Sequence, residues 1–369
     1  MNVLMVNKFY YNFGGAENYM FGLSKLLKER GHNIIPFSME HPSNFKTEYE
    51  KYFVSEISYN GNSKVKNIRY GLSSIYSFEA RAKISSLLSE HQVDLAHLHN
   101  FNFQLTPSIL FELKRRGIPV IITLHDPQII CPHHRLFNYE ERAICEKCNG
   151  GKYYNAFKTK CIKNSYLKGF LGMMESYVYH LSGIYEKVDL FISPSNFLKT
   201  KINEFGLKNL NIKVIPNFYI HEIISKEQEY NNEVLYIGRV SEEKGLSVLL
   251  KAMSNIKDIR LKIIGDGLIK DKLKKEVDEN GLNNIEFLGH LPQNKIKTYL
   301  GNCMLLVVPS VWYENCPLTI IEAMINGKAV IASRLGGNVD LIEEGKTGLL
   351  FNAGDADDLA TKINYAIQN

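Results

Sequence analysis

Two glutamates separated by seven residues are the most informative feature of this chain. They bound Glu314-Asn315-Cys316-Pro317-Leu318-Thr319-Ile320-Ile321-Glu322, which follows an apolar run ending Val307-Val308-Pro309-Ser310. Pro317 suits the first turn of a helix. Glu322 then lies about one and a half turns in, at 3.6 residues per turn. An ionised carboxylate is a pure acceptor with two oxygens, so each glutamate can take two hydroxyl hydrogen bonds at once, as a sugar and a ribose would offer. Acidic residues scattered on a surface helix would lack the flanks seen here, Pro309-Ser310 before and Ala323-Met324 with Gly327 after.

A second constellation supplies positive charge. In Gly238-Arg239-Val240-Ser241-Glu242-Glu243-Lys244-Gly245, two cations follow an apolar run. Arg grips a phosphate through two parallel hydrogen bonds, and Lys acts as a compact point charge. Gly14-Gly15-Ala16-Glu17 lies between an apolar run and a helical pattern. A glycine pair there lets backbone approach a ligand closely, and the following helix N-terminus offers N–H groups to an anion. The spacing is not GxGxxG, and many such loops are only tight turns. His125, beside Asp126, ends another apolar run, a position that faces ligands at the edge of an open α/β sheet. Asp355-Ala356-Asp357 has only the look of a metal-binding aspartate pair; beside the last helical pattern it supplies a helix N-terminus with acidic residues.

Cys131, Cys145, Cys148 and Cys161 span an insert, about residues 131–170, with eight basic and three acidic residues. Only Cys145 and Cys148 have CxxC spacing. A tetrahedral structural zinc site is the leading expectation, with His133 or His134 able to replace one cysteine. Unligated thiols come next, and disulfides are disfavoured in a reducing compartment. Cys303 and Cys316 stand apart and read as buried or cleft-lining thiols.

The elements that must position these residues alternate between strands and helices. Apolar runs at 2–7, 33–38, 93–98, 119–124, 189–192 and 212–215 are interleaved with helical patterns at 16–27, 79–90, 105–116 and 196–205. The pattern pauses near Ile215-Pro216-Asn217-Phe218, a polar stretch at 225–232 follows, and the series restarts. Strands are expected at 233–238, 260–265, 285–288, 304–308, 329–332 and 348–351, with Leu246, Leu249, Leu250 and Met253 marking a helix. Apolar strands separated by amphipathic helices imply parallel sheets covered on both faces. The reading is an α/β chain of two Rossmann-like domains, 1–215 and 216–369, facing across a cleft that takes the ligand.

With 369 residues, 45% hydrophobic and 22% charged, the chain is neither disordered nor fibrous. Its net charge of +5 is uneven: residues 1–200 carry +7 and residues 201–369 carry −2. That is too diffuse for a nucleic-acid module. No apolar stretch reaches the roughly 20 residues that span a bilayer, and the start lacks the basic n-region of a signal peptide. A cytosolic protein with reduced cysteines is expected.

Taken in order, the motifs resemble those of the family-4 (group 1) retaining glycosyltransferases of the GT-B fold. The resemblance runs through Gly14-Gly15-Ala16-Glu17, Thr123-Leu124-His125-Asp126, Ile192-Ser193-Pro194-Ser195, Val214-Ile215-Pro216-Asn217, Gly238-Arg239 to Lys244-Gly245, Ile264-Gly265-Asp266-Gly267, Phe287-Leu288-Gly289, the Glu314–Glu322 block, Gly336-Gly337 and Thr347-Gly348-Leu349. It implies a retaining, metal-independent transferase using a UDP- or GDP-sugar. By the resemblance, Gly15 beside Gly14, Arg239 and Lys244 would bind the donor diphosphate, with Arg239 and Lys244 taking the place of a catalytic metal. Glu322 would hold the ribose, Glu314 the donor sugar, and His125 would lie near sugar and acceptor. Asn217 would shape the hinge. Related sequences carry a similar cysteine insert on the acceptor side. They usually continue past 359–369 into a final helix that crosses back to the N-terminal domain, which is not seen here. The implied acceptor is a glycan or lipid-linked glycan of surface polysaccharide synthesis, reached at the inner membrane surface, with no nucleic-acid partner.

Three other readings fit less well. A nucleotide-sugar-binding or scaffold protein with little transfer activity is the runner-up. A glycoside hydrolase would use two carboxylates but leave the cationic corner without purpose. A pyridoxal-phosphate phosphorylase would need a Schiff-base lysine motif that is not evident.

Overall fold

The computed structural model describes residues 1–56, 71, 73, 75–219 and 231–368. The polar stretch expected at 225–232 falls, through residue 230, outside the described residues. The chain forms two compact units. One comprises Met1–Arg135, Glu146–Pro194 and Leu198–Pro216; the other comprises Leu136–Cys145, Ser195–Phe197 and Asn217–Asn369.

In chain order the first half runs β1 (Asn2–Val6), α1 (Gly15–Glu29), β2 (Asn33–Phe37), α2 (Phe78–Glu90), β3 (Leu95–Leu98), α3 (Ser108–Arg115) and β4 (Val120–Thr123). A short antiparallel hairpin, β5 (Phe137–Asn138) and β6 (Ala143–Ile144), interrupts it. Then come α4 (Asn155–Lys158), α5 (Tyr166–Leu181), β7 (Leu190–Ser193), α6 (Asn196–Glu204) and β8 (Ile212–Val214). The strands pair in the order β2-β1-β3-β4-β7-β8, and every pairing is parallel. Val3 stands opposite both Ile34 and Leu95. Val3 and Met5 point the same way, as strand alternation requires, and meet Met20 of α1 in the core.

The second half runs β9 (Glu233–Ile237), α7 (Leu246–Met253), β10 (Arg260–Ile264), α8 (Lys270–Glu279), β11 (Ile285–Gly289), α9 (Gln293–Asn302), β12 (Leu305–Val308), α10 (Leu318–Ile325), β13 (Ala329–Ser333), α11 (Asn338–Leu341), β14 (Gly348–Phe351) and α12 (Ala356–Gln368). Its order, β11-β10-β9-β12-β13-β14, is the 3-2-1-4-5-6 order of dinucleotide-binding sheets. Alternation divides its core in two. Val234, Tyr236, Leu305, Val307 and Ile331 pack under α7, α8 and α12; Leu235, Leu306, Val308, Val330 and Ala332 pack under α9 and α10. Both faces are covered, which is why these strands are mostly apolar, with charged residues such as Glu233, Arg260 and Glu286 toward their amino ends.

The expected strands all form, with ends shifted by up to two residues. Helices α5, α8 and α9 were not anticipated. The aspartates at 355–357 cap α12 as expected: Asp355 Oδ1 accepts from the amides of Asp357 and Asp358, each at 3.0 Å.

Two glycines hold the loops beyond the sheet of the second unit together. Gly245 has a left-handed φ of 69°, and a Cβ there would stand 1.9 Å from the Pro309 carbonyl oxygen. At Gly265, φ 141°, a Cβ would stand 1.8 Å from Gly238 O. Gly281 is also left-handed, but nothing lies within 4 Å of its Cβ position. Gly281→Ala should therefore lower the unfolding free energy by only about 1 kcal/mol, and Gly245→Ala by about 3 kcal/mol or more. Urea denaturation checks this; equal losses would mean that the 309–314 loop yields without cost.

Candidate active site

Open α/β sheets bind ligands beyond the carboxyl ends of the strands where the strand order reverses. In the second unit that point lies between β9 and β12, and the loops after these strands carry Arg239, Lys244 and Glu314. Val311 N donates to Glu243 O at 2.9 Å and ties the two loops together. The Lys244 ammonium donates to Glu314 Oε1 at 2.6 Å. Ser310 Oγ donates to the same oxygen at 2.6 Å and Trp312 Nε1 at 2.9 Å. Lys244 Nζ also lies 5.1 Å from the Trp312 ring centroid, within reach of its π face. Glu314 is buried. Burial alone would raise its pKa, but the Lys244 charge and the three hydrogen bonds outweigh it, and the carboxyl sits below its ordinary range.

The backbone of Glu314 is equally fixed. Gly337 N donates to Glu314 O at 2.6 Å, and a Cβ on Gly336 would come within 2.4 Å of that oxygen. Arg239 is the more exposed cation, with Nη2 3.4 Å from Glu243 Oε1. Glu243 is itself buried, and neither its Oε2 nor the nearby Ser241 Oγ has a hydrogen-bond partner among the described residues. Tyr236 OH donates to Arg239 O at 2.6 Å and steadies that backbone. Glu322 lies in α10, half-buried, where desolvation lifts its pKa to about 7 against the opposing charge of Lys297. Asn217 Nδ2 donates to Cys316 O at 2.9 Å, while its buried Oδ1 has no partner among the described residues.

In the first unit the strand order reverses between β1 and β3. Asn7 bridges the two, accepting from Asn100 N at 3.0 Å and donating to the buried Glu17 carboxylate at 3.0 Å. Gly14 caps α1 in an extended conformation, with Gly15 the first helical residue. His125 joins two histidines that the sequence reading missed. His97 and His99 stack at 4.5 Å, and His99 and His125 at 5.2 Å. His99 Nδ1 lies 3.0 Å from His125 Nε2, and His99 Nε2 lies 3.1 Å from Met5 Sδ. A thioether can only accept, so His99 carries its proton on Nε2. Burial, reinforced by the neighbouring histidines, holds His99 far below its usual pKa and keeps it neutral. Its Nδ1 is then an acceptor, and His125 must be the Nε2–H donor. The lone pair of His125 is thus placed on Nδ1. The signal for this column was His97-x-His99, since alternate strand residues share a face.

Among the described residues no group of three or more His, Cys, Asp or Glu side chains is already gathered around one point where a metal ion could sit. Cys131 and Cys148 are buried close to Tyr153, whose hydroxyl is pushed to high pKa first by burial and then by their charges. Cys145 N donates to Leu136 O at 2.9 Å at the base of the hairpin, and Cys161 Sγ faces Ala156 O at 3.9 Å. Cys303 and Cys316 are buried, and burial lifts their thiols to about 12 and about 11.

The two parallel α/β sheets, together with the family models and solved structures that the chain matches, make it a glycosyltransferase of the GT-B fold. The chain belongs to Glycosyltransferase Family 4: that family's model matches residues 13–222, and the model for glycosyl transferases group 1 matches residues 220–369. An uncharacterized glycosyltransferase of Methanocaldococcus jannaschii is 28% identical over 100% of this chain and 89% of its own. The phosphatidyl-myo-inositol mannosyltransferase of Mycolicibacterium smegmatis is 22% identical over 95% of this chain and 80% of its own. Among solved structures, Anabaena HepE in complex with UDP is similar in fold, with a TM-score of 0.68 and 20% identity over 100% of this chain and 90% of that one.

Two outcomes follow from the titrating groups. His125 should remain the neutral Nε2–H tautomer from pH 8 down to its depressed pKa of about 3. Nitrogen-15 NMR checks this, and titration near the ordinary 6.5 would contradict it. The free Glu322 side chain titrates at 4.5 and the folded one at about 7, so folding takes up a proton between those values. Its contribution to stability therefore declines as pH rises from 4.5 to 7 and remains a cost above. Glu322→Gln should raise the thermal midpoint relative to wild type above pH 7 and leave it unchanged below pH 4.5.

Proposed function

We propose that this glycosyltransferase moves one sugar from a UDP- or GDP-sugar to a glycan or lipid-linked glycan, with retention of anomeric configuration and without a metal ion. The observation that carries the reading is the Lys244–Glu314 pair with its Ser310 and Trp312 donors. A fixed cation beside a fixed acceptor matches what a sugar diphosphate presents at its scissile bond, an anionic leaving group next to a ring of hydroxyls. Arg239 and Lys244 stabilise the negative charge that grows on the departing diphosphate, and backbone amides after Glu314 add to it. These groups do not have to move as the charge develops, which is where such sites draw most of their catalytic effect.

Glu314 accepts hydroxyl hydrogen bonds from the donor sugar, and Glu322 those of the ribose. His125 Nδ1 offers an acceptor to a hydroxyl of the sugar or the incoming acceptor. Gly14 and Gly15, at the start of α1, offer a side-chain-free backbone and helix N–H groups to a diphosphate. The names of the relatives, among them a mannosyltransferase of phosphatidyl-myo-inositol and a lipopolysaccharide N-acetylglucosaminetransferase, support an acceptor in surface polysaccharide or glycolipid synthesis. The enzyme would then work in the cytoplasm, peripherally on the inner face of the plasma membrane. Among the described residues no helix is long and apolar enough to cross a membrane.

A thermal-shift screen of nucleotide sugars identifies the donor, since a bound ligand stabilises the fold by RT ln(1 + L/Kd), with L its free concentration. With that donor, Arg239→Ala and Lys244→Ala should each lower kcat/KM by about 10²–10³-fold. The proton NMR of the product should show the donor's anomeric configuration, and chelation should leave turnover unchanged. Wild-type turnover in Arg239→Ala, or activity restored by a divalent metal after chelation, would contradict the reading.

A further inference from the structure

Helix α5 (Tyr166–Leu181) is amphipathic in the reverse sense. Its buried residues are Gly169, Gly172, Glu175 and Tyr179. Its outer side carries Leu167, Phe170, Val178 and Leu181, which are 63%, 43%, 37% and 85% exposed. These four recur at helical spacing, i, i+3, i+11 and i+14, and so form one stripe along a helix roughly 24 Å long at 1.5 Å per residue. Over its first two turns the inner side cannot be larger. A Cβ on Gly169 would come 2.4 Å from Ala156 O of α4, and one on Gly172 would come 2.5 Å from Ile162 Cδ1. Close backbone packing thus accounts for the inner face, while the outer apolar stripe does nothing for the core.

Helix α4 widens the stripe. The Phe157 ring lies 5.3 Å from Tyr166 and 6.2 Å from Phe170. Phe157, Tyr166 and the nearby Tyr154 are all exposed. Lysines border these rings: Lys158 Nζ lies 4.7 Å from the Tyr154 centroid and Lys160 Nζ 4.3 Å from that of Tyr166. Residues 152–174 contain Lys152, Lys158, Lys160, Lys163 and Lys168 and no Asp or Glu. Exposed Leu and Phe flanked by Tyr and Lys is the composition of a helix lying in the plane of a bilayer, with aromatic rings at headgroup level and ammonium groups on anionic lipid. The same charge argues against a second copy of the chain as the occupant, because a two-fold contact through this face would set lysines against lysines.

We propose that the α4–α5 face docks on an anionic membrane surface, with the Leu167–Leu181 stripe immersed at the boundary between headgroups and acyl chains. The proposal rests on neither the donor nor the reaction, so its test needs neither. The full chain is sedimented with vesicles of phosphatidylcholine alone or mixed with phosphatidylglycerol. Wild type should bind the mixed vesicles about tenfold or more tightly than the neutral ones, because each lysine at an anionic surface adds to the attraction. Leu167→Ser/Phe170→Ser/Leu181→Ser should weaken binding to mixed vesicles at least about tenfold, while Lys158→Glu/Lys163→Glu/Lys168→Glu should erase the preference for anionic lipid. Phe170→Trp gives a check that survives any folding defect of the triple variants: brominated lipid should quench the introduced indole. Wild type that ignores both vesicle types, triple variants that bind as wild type does, or an unquenched indole would overturn the proposal. So would a dimer, measured by light scattering, that the serine variant dissolves while wild type shows no vesicle binding.

Discussion

The contact between the Lys244 ammonium and the buried Glu314 carboxylate governs the rest of the second unit. A carboxylate taken out of water must be compensated, and removing one partner of such a pair costs about 3–5 kcal/mol. Three donors converge on Glu314 Oε1, and they come from two loops. The loop after β9 brings Lys244, and the loop after β12 brings Ser310, Trp312 and Glu314 itself. Those loops can meet only because position 245 lacks a side chain against Pro309, and Glu314 is held from behind only because positions 336 and 337 are glycine. Glycines that read as family punctuation in the sequence thus have one physical task, which is to let backbone close around a charged pair. The strand order does the rest by placing β9 and β12 side by side.

The first unit uses the same topological device with opposite electrostatics. Its strand-order reversal carries a stack of neutral imidazoles in place of a charged corner. Desolvation drives His97 to about 4 and His125 to about 3, so the column stays uncharged at neutral pH, and the Met5 sulfur fixes the direction of its hydrogen bonds. A neutral imidazole of defined tautomer can present a lone pair to a hydroxyl without repelling cationic groups. Each unit therefore offers a polar group whose state is settled before any ligand arrives.

Much of this was legible from residue types alone. The doubly covered strands announced themselves as apolar runs, and Pro317 set the start of α10 so that Glu322 fell where expected. What escaped had physical reasons. Helix α8 is so rich in Lys, Asp and Glu that only Leu273 and Val277 are buried, which leaves a faint period. Helix α5 is apolar outward and lined inward by Gly169, Gly172, Glu175 and Tyr179, far from the pattern that marks a helix, and it lies beside cysteines whose spacing suggested a metal. Cys131 and Cys148 are buried near Tyr153 and the Cys145 amide bonds at the base of the hairpin, contacts that spacing cannot reveal. Trp312 and Ser310 are ordinary residues until the fold turns both toward one oxygen. His97 and His99 were readable as a same-face pair, but their link to His125 requires β3 and β4 to be neighbours.

The central claim is that the corner formed by Arg239, Lys244 and Glu314 is a preorganised site for a nucleoside diphosphate. Titration calorimetry of UDP and GDP against wild type, Lys244→Met and Glu314→Gln tests it most directly. One of the two nucleotides should bind wild type and lose about tenfold or more in affinity with Lys244→Met, through loss of a charge-assisted contact. Glu314→Gln, which touches the sugar and not the diphosphate in this account, should retain most of that affinity. Lys244→Met binding the same nucleotide as tightly as wild type would contradict the claim.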